Sequence, residues 1–115
     1  MPYTLISFGH KYGVPPADLI VMVTGLRNPY NVPNLRALSG VHPKVQRHVM
    51  LAPYAVQKMR HTLSKCLEMG SGRVAIGCYG GRHRSVTFVE LLTRALRERG
   101  HEVNVEHRDL GRREA

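Results

Sequence analysis

One stretch, Gly77-Cys78-Tyr79-Gly80-Gly81-Arg82-His83-Arg84-Ser85, restricts the possible folds more than any other. It is preceded by the apolar run Arg73 to Cys78 and followed, from Ser85, by Val86, Val89, Leu92 and Leu96 at helical spacing, with Phe88 and Ala95 beside them. A strand that passes through a glycine pair into an amphipathic helix is the opening of a βαβ unit, which needs a parallel sheet. Gly100 stands where a left-handed residue would end the helix. Glu102 to His107 then alternates Glu, Val, Asn, Val, Glu, as an edge strand with one wet face does.

The remaining segments fit the same class. Thr4 to Phe8 and Leu19 to Val23 are apolar without clean alternation, which predicts buried parallel strands. Tyr54 to Met69 reads as a helix with Ala55, Met59, Leu63, Cys66 and Leu67 on its core face. Pro53 separates it from a shorter helix beginning after Pro43. Residues 25 to 43 hold prolines at 29, 33 and 43 and form a loop longer than a connection requires, and such loops tend to carry function. The expectation is an α/β fold of about four mostly parallel strands flanked by helices.

Length bounds the organisation: 115 residues hold one core and leave no room for a separate cofactor domain. An apolar content of 43% excludes a disordered basic tail. The longest apolar runs fall far short of the ~20 residues of a membrane span, and Met1 to Phe8 lacks the features of a signal peptide, so a cytoplasmic protein is expected. Two cysteines, Cys66 and Cys78, suit a reducing compartment.

The formal charge of +9 lies entirely in residues 1 to 89, where only Asp18 and Glu68 oppose eleven Lys and Arg. A surface so poor in acids attracts polyanions: phosphorylated metabolites, nucleotides or nucleic acid. The glycine loop is the natural place for a phosphate, because ligands of open α/β sheets gather at the carboxyl ends of the strands. There Gly80 and Gly81 allow close approach, Arg82, His83 and Arg84 supply charge-assisted hydrogen bonds, and Ser85 caps the helix or touches an oxygen. A tight turn carrying surface arginines would look the same. No Gly-Lys-Ser or Gly-Lys-Thr occurs, so the loop is not a Walker A motif.

Cys78 and Arg84 are also spaced as in cysteine-dependent phosphatases, with Ser85 next and Asp109 as the available acid. Gly77 stands where those enzymes carry histidine, which weighs against that alternative. His10, Lys11 and Tyr12 follow the first strand and would share the loop's sheet edge, either gripping the remainder of a ligand or forming an ordinary turn. Lys58, His61 and Lys65, with Arg112 and Arg113, could meet an RNA backbone or form a solvated face; two Phe, five Tyr and no Trp offer little stacking. No two of the seven histidines are four residues apart and there is no Cys-x-x-Cys, so neither a metal nor a cofactor is expected.

Ile6-Ser7-Phe8-Gly9-His10-Lys11-Tyr12-Gly13, Asn28-Pro29-Tyr30, Val32-Pro33-Asn34-Leu35-Arg36, Ala75 to Val86 and His107-Arg108-Asp109-Leu110 together resemble the C-terminal domain of the RapZ family, nearly end to end. The resemblance implies a phosphofructokinase-like ligand-binding fold. It implies a non-catalytic domain that holds a phosphorylated amino sugar or a nucleotide-like molecule at the glycine loop, with Arg36 added to the site. It further implies a sensor or RNA-associated adaptor that engages RNA and a ribonuclease, and a homodimer. Full-length members carry an N-terminal P-loop domain; residues 1 to 115 are read as a single RapZ C-terminal-like domain without it, and a P-loop partner protein stands among the candidate partners.

Overall fold

The computed structural model describes residues 2–112. Four strands, β1 (Tyr3–Gly9), β2 (Leu19–Met22), β3 (Gly72–Cys78) and β4 (Val103–His107), form one sheet in the order β2-β3-β1-β4. Every pairing is parallel, with Ser7 opposite Ile76 and also opposite His107. Helices α1 (Pro33–Arg36), α2 (Pro43–Val49), α3 (Pro53–Met69) and α4 (Arg84–Glu98) flank it, with 3-10 turns at His10–Tyr12 and Pro29–Asn31. The chain is an α/β fold. Among the described residues no helix is long and apolar enough to cross a membrane.

The two central strands explain the continuous apolar runs of the sequence. Alternate residues of a strand point to opposite faces, and here both faces are covered. Tyr3, Leu5, Val74 and Ile76 join Phe88, Val89, Leu92 and Leu96 of α4 and Val45, Val49, Ala55 and Cys66 of α2 and α3 in one buried cluster. Ile6, Phe8 and Ala75, on the other face, are equally inaccessible. Tyr3 further anchors α3, its hydroxyl donating to the Cys66 carbonyl at 2.6 Å.

Three expectations are corrected. β2 is not a buried strand but an edge: Ile20 is 47% exposed, because only β3 lies beside it. Leu67 is exposed and Thr62 takes a buried place on α3, made possible by its hydroxyl donating to the Lys58 carbonyl at 2.8 Å. β4 is the edge strand its alternation implies, yet only Val103 is buried, and Val105 stays open.

Helix α4 ends where Gly100 takes φ 84°. The Gly100 amide donates to the Arg97 carbonyl and the His101 amide to Leu96, the paired bonds of a Schellman motif. At its other end α4 begins with Arg84 directly behind the glycine loop. The stretch from 25 to 43 is less irregular than its prolines suggest, since Asn28 Oδ1 accepts from the Tyr30 amide at 3.1 Å and opens the first of its two helical turns.

Candidate functional site

Parallel pairing brings the ends of β1, β3 and β4 to one edge, and the segments that follow them meet there. The closest approach is between glycines. A Cβ on Gly81, at φ +74°, would lie 2.5 Å from the Gly9 amide nitrogen, and one on Gly9 would lie 2.5 Å from the Gly80 carbonyl carbon. Gly81 is thus needed for backbone packing as well as for its conformation. Its amide is also occupied, donating to Cys78 Sγ at 3.3 Å, and Cys78 Sγ lies 3.2 Å from Ser85 Oγ.

The basic residues behind the loop divide into two groups by what they touch. Arg82 donates to the Ala37 carbonyl at 2.7 Å, and His83 Nε2 lies 3.1 Å from the Arg36 carbonyl. A carbonyl only accepts, so His83 carries its proton on Nε2 there. Burial lowers the His83 pKa from its ordinary value, and the charges of Arg82 and Arg84 act the same way, against backbone hydrogen bonds at Arg36 and Leu38. The ring is therefore a neutral donor near pH 7. Gly40 completes the strap: its amide donates to the Arg82 carbonyl, and a Cβ there would meet the His83 carbonyl oxygen at 2.4 Å. Arg84 is tied to a different segment. It is only 8% exposed and donates from one terminal nitrogen to the Thr24 carbonyl at 2.5 Å.

Between loop and strap lies a cavity of about 820 Å³, lined by Asn28, Tyr30, Arg36, Cys78, Tyr79, Gly80, Arg82, His83, Arg84, Leu110, Gly111 and Arg112. Four arginines and no carboxylate line it. Arg36 stacks its guanidinium 4.8 Å from the Tyr30 ring centre and donates from Nε to the Tyr30 carbonyl at 2.7 Å. Gly81 and Ser85 form the layer behind the lining. His10, Lys11 and Tyr12 do not line the cavity but adjoin it: His10 meets the Tyr79 ring edge-on at 5.3 Å, and Lys11 Nζ lies 5.2 Å from the same ring.

Asp109 holds the edge from below. Its buried carboxylate accepts from the Gly9 amide at 2.7 Å, from Arg108 Nε and a terminal Arg108 nitrogen, and from Arg112 Nε at 2.7 Å. Burial alone would raise its pKa, but the bonds from Arg108, Gly9 and Arg112 and the Arg108 charge outweigh it and hold the group below its ordinary value. A carboxylate so committed keeps its charge and is a poor proton donor.

Of the residues expected to face RNA, Arg112 lines the cavity while paired with Asp109 behind it, whereas Lys58, His61 and Lys65 lie on α3 and do not line it. Arg113 lies outside the described residues. Asn28, Tyr30, Tyr79, Leu110 and Gly111 are lining residues that were not assigned to the site from sequence. Among the described residues no group of three or more His, Cys, Asp or Glu side chains could hold a metal ion.

Residues 1–111 match the RapZ C-terminal domain. A protein of Limosilactobacillus reuteri (strain DSM 20016) named "Nucleotide-binding protein" is 42% identical over 117 residues, covering 92% of this chain and 40% of that protein. One of the same name from Desulforamulus reducens is 41% identical over 128 residues, covering 95% of this chain and 40% of the relative. A third, from Nocardioides sp. (strain ATCC BAA-499 / JS614), is 40% identical over 119 residues. This chain spans about 40% of the length of the relatives it matches. With its glycine loop, strap and arginine-lined cavity at the carboxyl edge of a parallel sheet, and a match over nearly its whole length, the chain belongs to the RapZ C-terminal domain family.

Proposed function

We propose that the arginine-lined cavity binds a phosphorylated small molecule, a nucleotide or an amino-sugar phosphate, without turning it over. The observation that carries this reading is the lining itself: Arg36, Arg82, Arg84 and Arg112 with no acid among them. Arg112 is already paired with Asp109, whereas Arg36, Arg82 and Arg84 bond to backbone carbonyls that leave their charge in place, and Arg presents a planar fork suited to phosphate oxygens. The relatives named "Nucleotide-binding protein" support the ligand class, and the name applies to proteins of which this chain spans 40%.

A binding role leads to a sensor or RNA-associated adaptor, with phosphate occupancy read by a partner. The strap offers a route for such a signal. Arg82 and His83 hold residues 36 to 40 through carbonyls, so a phosphate drawing the Arg82 fork would loosen one of those bonds. RNA, a ribonuclease and a second copy of the chain are the partners this reading calls for, in a cytoplasmic setting.

The second reading, a cysteine phosphatase, is favoured by one feature: Cys78 is a lining residue of the cavity, with its Sγ between the Gly81 amide and the Ser85 hydroxyl. Against it, Asp109 is held ionised by three partners and does not line the cavity. Thermal-shift titration with inorganic phosphate, glucosamine 6-phosphate and nucleoside monophosphates tests the main reading. A ligand that binds only the folded chain raises the midpoint, and the rise should vanish in Arg84→Ala. Midpoints unmoved by every phosphate compound would overturn it.

A further inference from the structure

His83 stands between two opposed sets of neighbours. It is only 6% exposed, yet it belongs to the cavity lining. On one side is the strap, where Nε2 lies 3.1 Å from the Arg36 carbonyl. The strap is pinned at both ends of Gly40, whose amide donates to the Arg82 carbonyl and whose carbonyl accepts from Gln46 Nε2 on α2 at 2.9 Å. On the other side are charges of one sign. Arg82 and Arg84 flank the ring in the chain, and Arg36 and Arg112 line the same cavity, Arg112 paired with Asp109 behind the lining. Cys78, at the end of β3, is a further titratable lining residue, and His10 adjoins the cavity through the Tyr79 ring.

Resting on the phosphate reading above, we propose that an anion entering the cavity is accompanied by a proton, taken up from solvent on His83, so that anion affinity rises as the solution is acidified. Burial disfavours a positive charge on the ring and the charges of Arg82 and Arg84 act with it, against the backbone hydrogen bonds at Arg36 and Leu38 that favour one. A dianion cancels the arginine part of that balance and attracts the imidazolium directly, in a site where the ring is shielded from water. The strap favours the proton throughout, since carbonyls only accept and the imidazolium has an N–H on each ring nitrogen where the neutral ring has one. Anion and proton are then linked reciprocally: each tightens the other by the same factor. The arginines stay charged across the whole range, so they supply a constant attraction on which His83 superimposes a pH-dependent one.

Calorimetric titration with sulfate at constant ionic strength, from pH 8 down to pH 5, tests this. Sulfate stays a dianion throughout, whereas a phosphate group titrates at about pH 6 on its own account. Wild-type affinity should rise by roughly three- to tenfold over the range, tenfold being the equivalent of one unit of pKa change on binding. Heats measured at pH 6 in buffers of different ionisation enthalpy should show net proton uptake with sulfate. In His83→Gln, whose amide can still donate to the Arg36 carbonyl, uptake and pH dependence should both disappear; in Cys78→Ser and His10→Gln both should persist. Ring-proton NMR of the wild-type chain decides without any variant: the His83 signal should move toward its protonated position when sulfate is added at pH 6. An unmoved His83 signal, or uptake that survives in His83→Gln or is lost in either control, overturns the assignment to His83. Sulfate binding with no pH dependence overturns the coupling and leaves the anion site intact. No binding of sulfate or inorganic phosphate at any pH overturns the phosphate reading as well.

Discussion

The Gly9 amide donates to Asp109 Oδ2 at 2.7 Å, a bond that joins the first strand to the turn after the last across 100 residues of chain. Arg108 and Arg112 share the same carboxylate. Arg108 in turn donates to the Gly13 carbonyl at 2.6 Å and lies 5.7 Å from the Phe8 ring centre. One buried charge therefore sets the position of the β1 end, against which the glycine loop packs.

Asp109→Asn keeps the shape and removes the charge that three donors require. We expect a loss of about 2–3 kcal/mol, a value reduced for the partial exposure of Arg112. The pH dependence follows from the depressed pKa. The unfolded chain takes up the proton first, so this stability is full above the ordinary carboxylate pKa near 3.9 and disappears as pH falls through the lower folded value. Urea unfolding between pH 7 and pH 2 should show a steeper acid loss for the wild type than for Asp109→Asn. Parallel curves would mean that the carboxylate is not what the acid removes.

The glycine interlock is expected to separate sharply from an ordinary glycine. Gly81→Ala must place a Cβ 2.5 Å from the Gly9 nitrogen at φ +74°, and should cost about 3 kcal/mol in unfolding free energy and weaken ligand binding with it. Gly25→Ala meets nothing within 4 Å and should stay within about 0.5 kcal/mol of the wild type. Denaturant midpoints for the two variants check this. A stable Gly81→Ala would mean that the two backbones do not meet as described.

What the sequence reveals follows from how local each cause is. β1 and β3 are readable because burial on both faces leaves an unbroken apolar run, and α4 because its period and Gly100 mark its face and end. The edge position of β2 is not readable, since strand order depends on pairings that no local pattern encodes. Arg82 and Arg84 at the cavity follow from the order strand, glycine pair, basic cluster, helix. The second task of Arg82 does not, because its carbonyl partner is 45 residues away. Tyr30 belongs to one of the motifs of the family resemblance, but its place at the cavity is not readable, because it sits in a proline-broken stretch with no period and only the fold brings it to the lining.

If the basic face of α3 meets RNA, Lys58→Ala and Lys65→Ala should each weaken binding by a modest, sequence-independent step and lower the slope of log affinity against log salt by about one. Neither residue lines the cavity, so small-ligand binding should be unchanged. Filter binding at several salt concentrations measures the slope. Salt-insensitive RNA binding, or none at low ionic strength, would remove this face from consideration.

Cys78 separates binding from catalysis. Both cysteines are buried in the core, but Cys66 has its thiol pushed up to about 11 by burial, whereas Cys78 is a lining residue of the cavity. An iodoacetamide time course should thus label Cys78 first, and bound inorganic phosphate should slow it by excluding the reagent. In a binding site the residue at 78 needs only to be small and to accept the Gly81 amide, so Cys78→Ser should keep ligand affinity within a few fold. In a phosphatase the same variant would bind substrate and lose turnover, since a serine hydroxyl there has no base to activate it. Arg84→Ala should weaken the ligand in either case by about 1.5–3 kcal/mol, the value of a charge-assisted hydrogen bond. Phosphate release from an aryl phosphate, measured for the wild type and for Cys78→Ser, distinguishes the two. No release by the wild type beside retained binding in the serine variant is the expected outcome; turnover that the serine abolishes would make Cys78 a nucleophile and the cavity an active site.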